Sequence, residues 1–246
     1  MSDRPLVAVV VFPGSNDDRD AAWALGSVGA EPTFVWHEET SLPKGTGAVV
    51  LPGGFSYGDY LRTGAIASVA PVMDPVRRFA AAGGPVLGIC NGFQVLLEAG
   101  LLPGAMLRNT SLQYQCEQVY VKVEQTDTPF TVACTTGQVL RIPIAHGEGN
   151  YYAEPGVIAR LEKNRQVVFR YATAAGDVSA AANPNGSVNN IAGLCSEQRN
   201  VVGLMPHPER ACELAVGSAD GLVLFESVVK ALTGVGAHLK GTVSAR

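Results

Sequence analysis

Long apolar runs are what this chain most plainly lacks. The first one, Leu6 to Phe12, is far short of the roughly 20 residues that a bilayer requires. No small-residue cleavage site follows a longer apolar stretch, so neither a signal peptide nor a membrane association is expected. A basic surplus is also missing. With 18 Lys and Arg against 22 Asp and Glu, the formal net charge is −4, which argues against nucleic acid or an anionic surface as partner. No C-x-x-C pair and no Cys/His cluster occurs. The five cysteines (Cys90, Cys116, Cys134, Cys195 and Cys212) are scattered and odd in number. That pattern speaks against a disulfide framework and a zinc site, and for a reducing cytoplasm. Neither a G-x-x-x-x-G-K-[S/T] loop nor a G-x-G-x-x-G fingerprint is present, so no nucleotide site is expected on this chain. Internal repeats and low-complexity linkers are absent too.

What is present fits one α/β domain over residues 1–246. Apolar residues make up 47% of the chain and charged ones 16%, a composition with nothing that points to disorder. A globule of this length buries about 70–75% of its unfolded surface.

Strand-like and helix-like segments alternate through the first half. VAVVVF (7–12) is a continuous apolar run, as expected of a strand covered on both faces. Asn16 or Asp17 is placed to cap a helix reaching about Val28. Further strands are expected at Thr33–Trp36, Ala48–Leu51 and Pro85–Ile89, with helices at Pro75–Ala82 and Phe93–Ala99. This order predicts a doubly wound, mostly parallel sheet. The middle of the chain is different. QVYVKVE (118–124) and QVVFRYAT (166–173) alternate, which predicts antiparallel strands packed on one side only. RNTS (108–111), HGEGNYY (146–152) and NPNGSVNNIAG (183–193) read as loops. A final helix from about Asp220 presents Leu222, Phe225, Val229 and Leu232 as one stripe. From about Gly234 a loose tail is expected.

Chemistry concentrates in three places. GICNGFQ (88–94) sets Cys90 between an apolar strand and a helix, inside the pattern Gly-x-Cys-x-Gly. This is the spacing of a nucleophile elbow with sulfur in place of a serine oxygen. The turn forces a strained backbone and needs small neighbours two residues either side. The following helix N-terminus favours a thiolate, and the Asn91 N–H is placed as an oxyanion donor. Most free cysteines are small buried hydrophobes, but such a residue needs no glycine bracket. The second place is MPHPER (205–210). Pro208 disfavours helix at His207, and in extended chain residues i and i+2 point the same way. Glu209 would then hold the His207 ring, giving the base and orienter that activate a cysteine. His-Pro-Glu alone usually marks a surface turn; here the strand VVGLM (201–205) delivers it to a sheet end, where α/β sites form. The third place is LPGGFSYGDYLRTGA (51–65). Gly53 and Gly54 follow a buried strand, and their backbone suits the other half of an oxyanion hole.

At Gly88–Gln94 and Met205–Arg210 together, the chain resembles the class I glutamine amidotransferases. LPGGFSYGDYLRTGAIA, GICNGFQVLLEAGLLPGA, IPIAHGEGNYY, NGSVNNIAG and MPHPER occur in order over nearly the whole length. They resemble the glutaminase subunits of multi-subunit purine-biosynthesis synthases. The resemblance implies a flavodoxin-like sheet and a triad of Cys90, His207 and Glu209. It implies an oxyanion hole of Gly54 and Asn91, with Gln94 and Gly53 near bound L-glutamine. It further implies an ATP-dependent synthetase subunit and a small assembly subunit as partners, with no metal or cofactor on this chain. Glu117 stands where that family often carries a basic residue. Two other readings stay open on the residues alone: a free-standing cysteine hydrolase, such as a peptidase or γ-glutamyl hydrolase, and a non-catalytic binding module.

Overall fold

The computed structural model describes residues 4–234. Of the expected tail, residues 235–246 lie outside the described residues. In chain order the strands are β1 (Leu6–Val11), β2 (Glu31–Trp36), β3 (Ala48–Leu51), β4 (Val86–Ile89), β5 (Ala105–Leu107), β6 (Gln115–Val123), β7 (Val139–His146), β8 (Asn150–Tyr152), β9 (Val167–Ala172), β10 (Ile191–Cys195) and β11 (Val201–Leu204). The α-helices are α1 (Asp18–Ser27), α2 (Met73–Ala81), α3 (Asn91–Glu98), α4 (Pro155–Lys163) and α5 (Leu222–Thr233). Among the described residues no helix is long and apolar enough to cross a membrane.

Nine strands form one sheet in the order β2-β1-β3-β4-β11-β10-β9-β6-β7. The pairs from β2 through β11 are parallel, and those from β11 through β7 are antiparallel. The first five strands therefore follow the flavodoxin-like order, as expected. β3, β4 and β11 are buried at every residue, which is why their sequences are unbroken apolar runs. Their C-terminal ends, with that of β1, carry the loops of interest: 12–17, 52–55, Cys90 and 205–209. In such sheets ligands bind at this edge.

Several expectations need correction. β6 is alternately buried and part-exposed over Val119–Val123, but β9 is not one-sided. Every residue of β9 except Arg170 is buried, so both faces of the sheet are covered where β9 lies between β10 and β6. HGEGNYY is not all loop. His146 ends β7, and Asn150–Tyr152 pairs with β5 in a separate two-stranded sheet. Likewise Ile191–Gly193 belongs to β10 rather than to a loop. The buried side chains of α5 centre on Leu224, Phe225, Ser227 and Val228, so its inner face is turned from the expected stripe and keeps only Phe225 fully buried.

Candidate active site

Cys90 joins β4 to α3 with φ 49° and ψ −105°, a backbone state that side-chain-bearing residues rarely adopt. The two bracketing glycines are required by sterics. A Cβ on Gly92 would meet the Leu51 carbonyl oxygen at 1.9 Å, and one on Gly88 would meet the Gly92 oxygen at 2.6 Å. The turn is pinned to the neighbouring strand by Cys90 N–H donating to Leu204 O at 2.8 Å. The Cys90 sulfur points toward Ala145 O, 3.8 Å away on β7. It is buried at the start of α3, where the unpaired N–H groups of the helix favour negative charge.

His207 follows β11 with φ −102° and ψ 86°, the extended-side conformation that a following proline favours. Its N–H donates to Pro143 O on β7 at 2.8 Å, so both halves of the sheet hold it. Glu209 does meet the ring: His207 Nδ1 and Glu209 Oε1 are 2.6 Å apart. The route differs from the expected extended i, i+2 pair. Pro208–Arg210 is a 3-10 turn, and the turn swings the carboxylate back under the imidazole. His207 Nε2 and Glu209 Oε2 are both buried without a hydrogen-bond partner. A second carboxylate, Asp17, places Oδ2 3.5 Å from His207 Nδ1.

Burial disfavours the charged imidazole, but Cys90 and Glu209 against it prevail, and the His207 pKa is raised well above the ordinary value. Burial also raises the Glu209 pKa, with the His207 charge opposing. Such a charge-assisted pair is short and strong. The arrangement supplies a nucleophile, a proton carrier with a free Nε2, and an acid that fixes the ring tautomer.

The glycine loop completes the floor. Gly54 sits at φ 136°, and a Cβ there would meet Asn16 N at 2.5 Å. Gly53 O accepts from the N–H groups of Asn16 and Asp17, while Phe55 N–H donates to Gly14 O. The Gly54 N–H between them has no recorded partner among the described residues. The Asn91 N–H, at the first turn of α3, is likewise not used within the helix. Gly53 is packed so tightly that a Cβ would lie 2.5 Å from Asp17 Oδ2 and 2.7 Å from His207 Cε1.

Gln94 is buried, with Nε2 donating to Glu148 O at 2.7 Å and Oε1 accepting from Asn91 Nδ2 at 2.9 Å. Asn91 Oδ1 in turn accepts from Ser56 N–H at 3.1 Å. Its Nδ2 also reaches Asp59 Oδ1 at 3.3 Å. Burial, then the Glu148 charge, push the Asp59 pKa up to about 6. The structure therefore brings Cys90, Asn91, Gln94, Gly53, Gly54, His207 and Glu209 to one edge of the sheet. Glu117 lies elsewhere, exposed on β6.

Sequence reasoning missed Asp17 as a site residue, reading it only as a helix cap. It also missed Asp59, and it left His146 in a loop. For Asp17 a signal existed: it stands just past the end of β1, on the same sheet edge as the other groups. For His146 none did, because its partner Asn109 is 37 residues away.

The model of the CobB/CobQ-like glutamine amidotransferase domain matches residues 4–220. The chain belongs to this glutamine amidotransferase family. Among similar proteins, the phosphoribosylformylglycinamidine synthase subunit PurQ of Koribacter versatilis is 57% identical over 225 residues, 91% of this amidotransferase and 97% of the relative. The PurQ subunit of Moorella thermoacetica is 59% identical over 222 residues, 90% and 94% of the two chains. The solved structure of PurLQS from Thermotoga maritima contains a chain 44% identical, with a TM-score of 0.82, covering 92% of this amidotransferase and 98% of that chain.

Proposed function

We propose that the chain is the glutaminase subunit of phosphoribosylformylglycinamidine synthase in purine biosynthesis, working in the cytoplasm. The observation that carries the chemistry is the buried Cys90, His207 and Glu209 arrangement, with Glu209 on Nδ1 of His207 and Cys90 acting on the same ring. Identity above half to named PurQ subunits over nine-tenths of the chain supports the pathway and disfavours a free-standing hydrolase.

Cys90 attacks the side-chain carboxamide carbon of L-glutamine. The oxyanion is held by the N–H groups of Gly54 and Asn91, each such donor being worth about 10²–10³ in rate. Imidazolium His207, steadied by Glu209, protonates the departing amine, and ammonia leaves. Water, deprotonated by His207, then hydrolyses the glutamyl thioester to glutamate. Gly53 and Gln94 shape the glutamine pocket. No metal or cofactor takes part in this half-reaction. The ammonia passes to an ATP-dependent synthetase subunit, which converts formylglycinamide ribonucleotide to formylglycinamidine ribonucleotide. A small assembly subunit completes the complex.

The test is Cys90→Ala in the assembled complex. Glutamine-dependent synthesis should vanish while ammonia-dependent synthesis survives; loss of both, with assembly intact, refutes the division of labour. The loop after β3 holds Tyr57, Asp59 and Leu61 in left-handed backbone, a strained state suited to switching. Docking of the synthetase that favours the competent loop by about 2.7 kcal/mol would raise glutamate release up to about a hundredfold. Equal release by the chain alone and in the complex would remove that gating.

A further inference from the structure

Asp17 stands at the N-cap of α1, where an aspartate ordinarily accepts a hydrogen bond from the second or third helical N–H. Its side chain makes no such bond. The carboxylate is instead buried, turned toward the sheet edge, with Oδ2 3.5 Å from His207 Nδ1. Gly53 packs against both groups, and a Cβ there would lie within 2.7 Å of each. A stabilising helix cap has been forgone for a place beside the imidazole.

Resting on the triad reading above, we infer that Asp17 is a positioning residue for the reaction, a second carboxylate that holds the proton on His207 Nδ1 together with Glu209. Glu209 Oε1 makes the direct bond, and Asp17 lies within coulombic range of the same nitrogen. Both acids lie at Nδ1, and Cys90 also acts on the ring. The other titratable groups around this cluster among the described residues are His146 at the end of β7, Asp20 on α1 with Asp18 and Arg210 beside it, and Tyr114, which faces Cys90 and Asp17. None of these faces Nδ1 in a recorded hydrogen bond or ion pair among the described residues. Asp17 therefore lengthens the pH range over which His207 remains the acid that protonates the leaving ammonia.

The sequence has only four histidines, so the His207 imidazole is resolvable by NMR titration of the full chain. Asp17→Asn removes the charge and keeps the shape. Asp17→Ser also removes it and supplies a favoured helix cap. An opposite charge within about 4–6 Å shifts a pKa by one unit or more. Both variants should lower the His207 midpoint by about one pH unit and move the alkaline limb of kcat/KM for glutamine down with it. Asp17→Glu should restore both. An unchanged midpoint in Asp17→Asn and Asp17→Ser would overturn the inference, as would an equal loss of activity at every pH. Cys90→Ala, run alongside, separates the two claims: retained glutaminase activity there defeats the triad reading itself.

Discussion

His207 and His146 are almost equally buried, with 2% and 3% exposure, yet they settle in opposite charge states. His207, past the end of β11, keeps its proton because Cys90 and Glu209 face it. His146, the last residue of β7, has its pKa pushed down to about 4, by burial first and then by the His207 charge. Its Nδ1 meets only the neutral Asn109 amide, at 3.1 Å, and its Nε2 has no partner. Burial alone therefore does not set the charge of a histidine here. The facing groups do: Cys90 and Glu209 at His207, a neutral amide at His146.

The difference can be broken most strongly at His207. His207→Ala should reduce glutamine-dependent kcat by on the order of 10⁶-fold, and Glu209→Ala by about one to two powers of ten less, since the orienting acid of such a unit matters less than the base. Steady-state glutamate release measures both; equal activity of His207→Ala and wild type would take His207 out of the mechanism. His146 should instead respond through stability. Because its folded pKa lies below the ordinary value near 6.5, the unfolded state takes up the proton first as pH falls. Stability is thus full above about pH 6.5 and declines toward pH 4, by roughly 2–3 kcal/mol from this group. Urea unfolding of wild type and His146→Gln across that window should show the variant losing less. Asn109→Ala should cost about 1–3 kcal/mol at neutral pH. It removes an amide that also bonds Gln113 O, His146 O and Gly149 N–H, leaving buried groups unpaired.

The same two residues show what a sequence reveals. Cys90 and His207 were legible because their constraints are local. A strained elbow needs glycine at positions 88 and 92, and the proline between His207 and Glu209 is visible in the chain. The parallel strands were legible because burial on both faces leaves unbroken apolar runs. His146 was not, since it takes its role from a residue distant in sequence, and Asp17 showed only its place past the end of β1, not its approach to His207. β9 misled for a related reason. Its alternation is only partial, and the cover on its second face comes from segments that the local pattern does not announce. The 3-10 turn that brings Glu209 under the ring was likewise hidden, because Pro208 fits an extended chain and a helix first turn equally well.

The central claim is that Cys90 alone among the cysteines is poised to attack an amide. Burial pushes the thiols of Cys134 and Cys195 up to about 11 and that of Cys212 up to about 12, so they stay protonated near neutral pH. Cys116 is exposed and stands within β6, not at a strand-to-helix elbow. The direct measurement is mass-spectrometric mapping after reaction with an electrophilic glutamine analogue. Label should accumulate on the Cys90 peptide, and His207→Ala should slow it sharply. Main labelling at Cys116 or Cys212, or labelling of Cys90 at an unchanged rate in His207→Ala, would contradict the account.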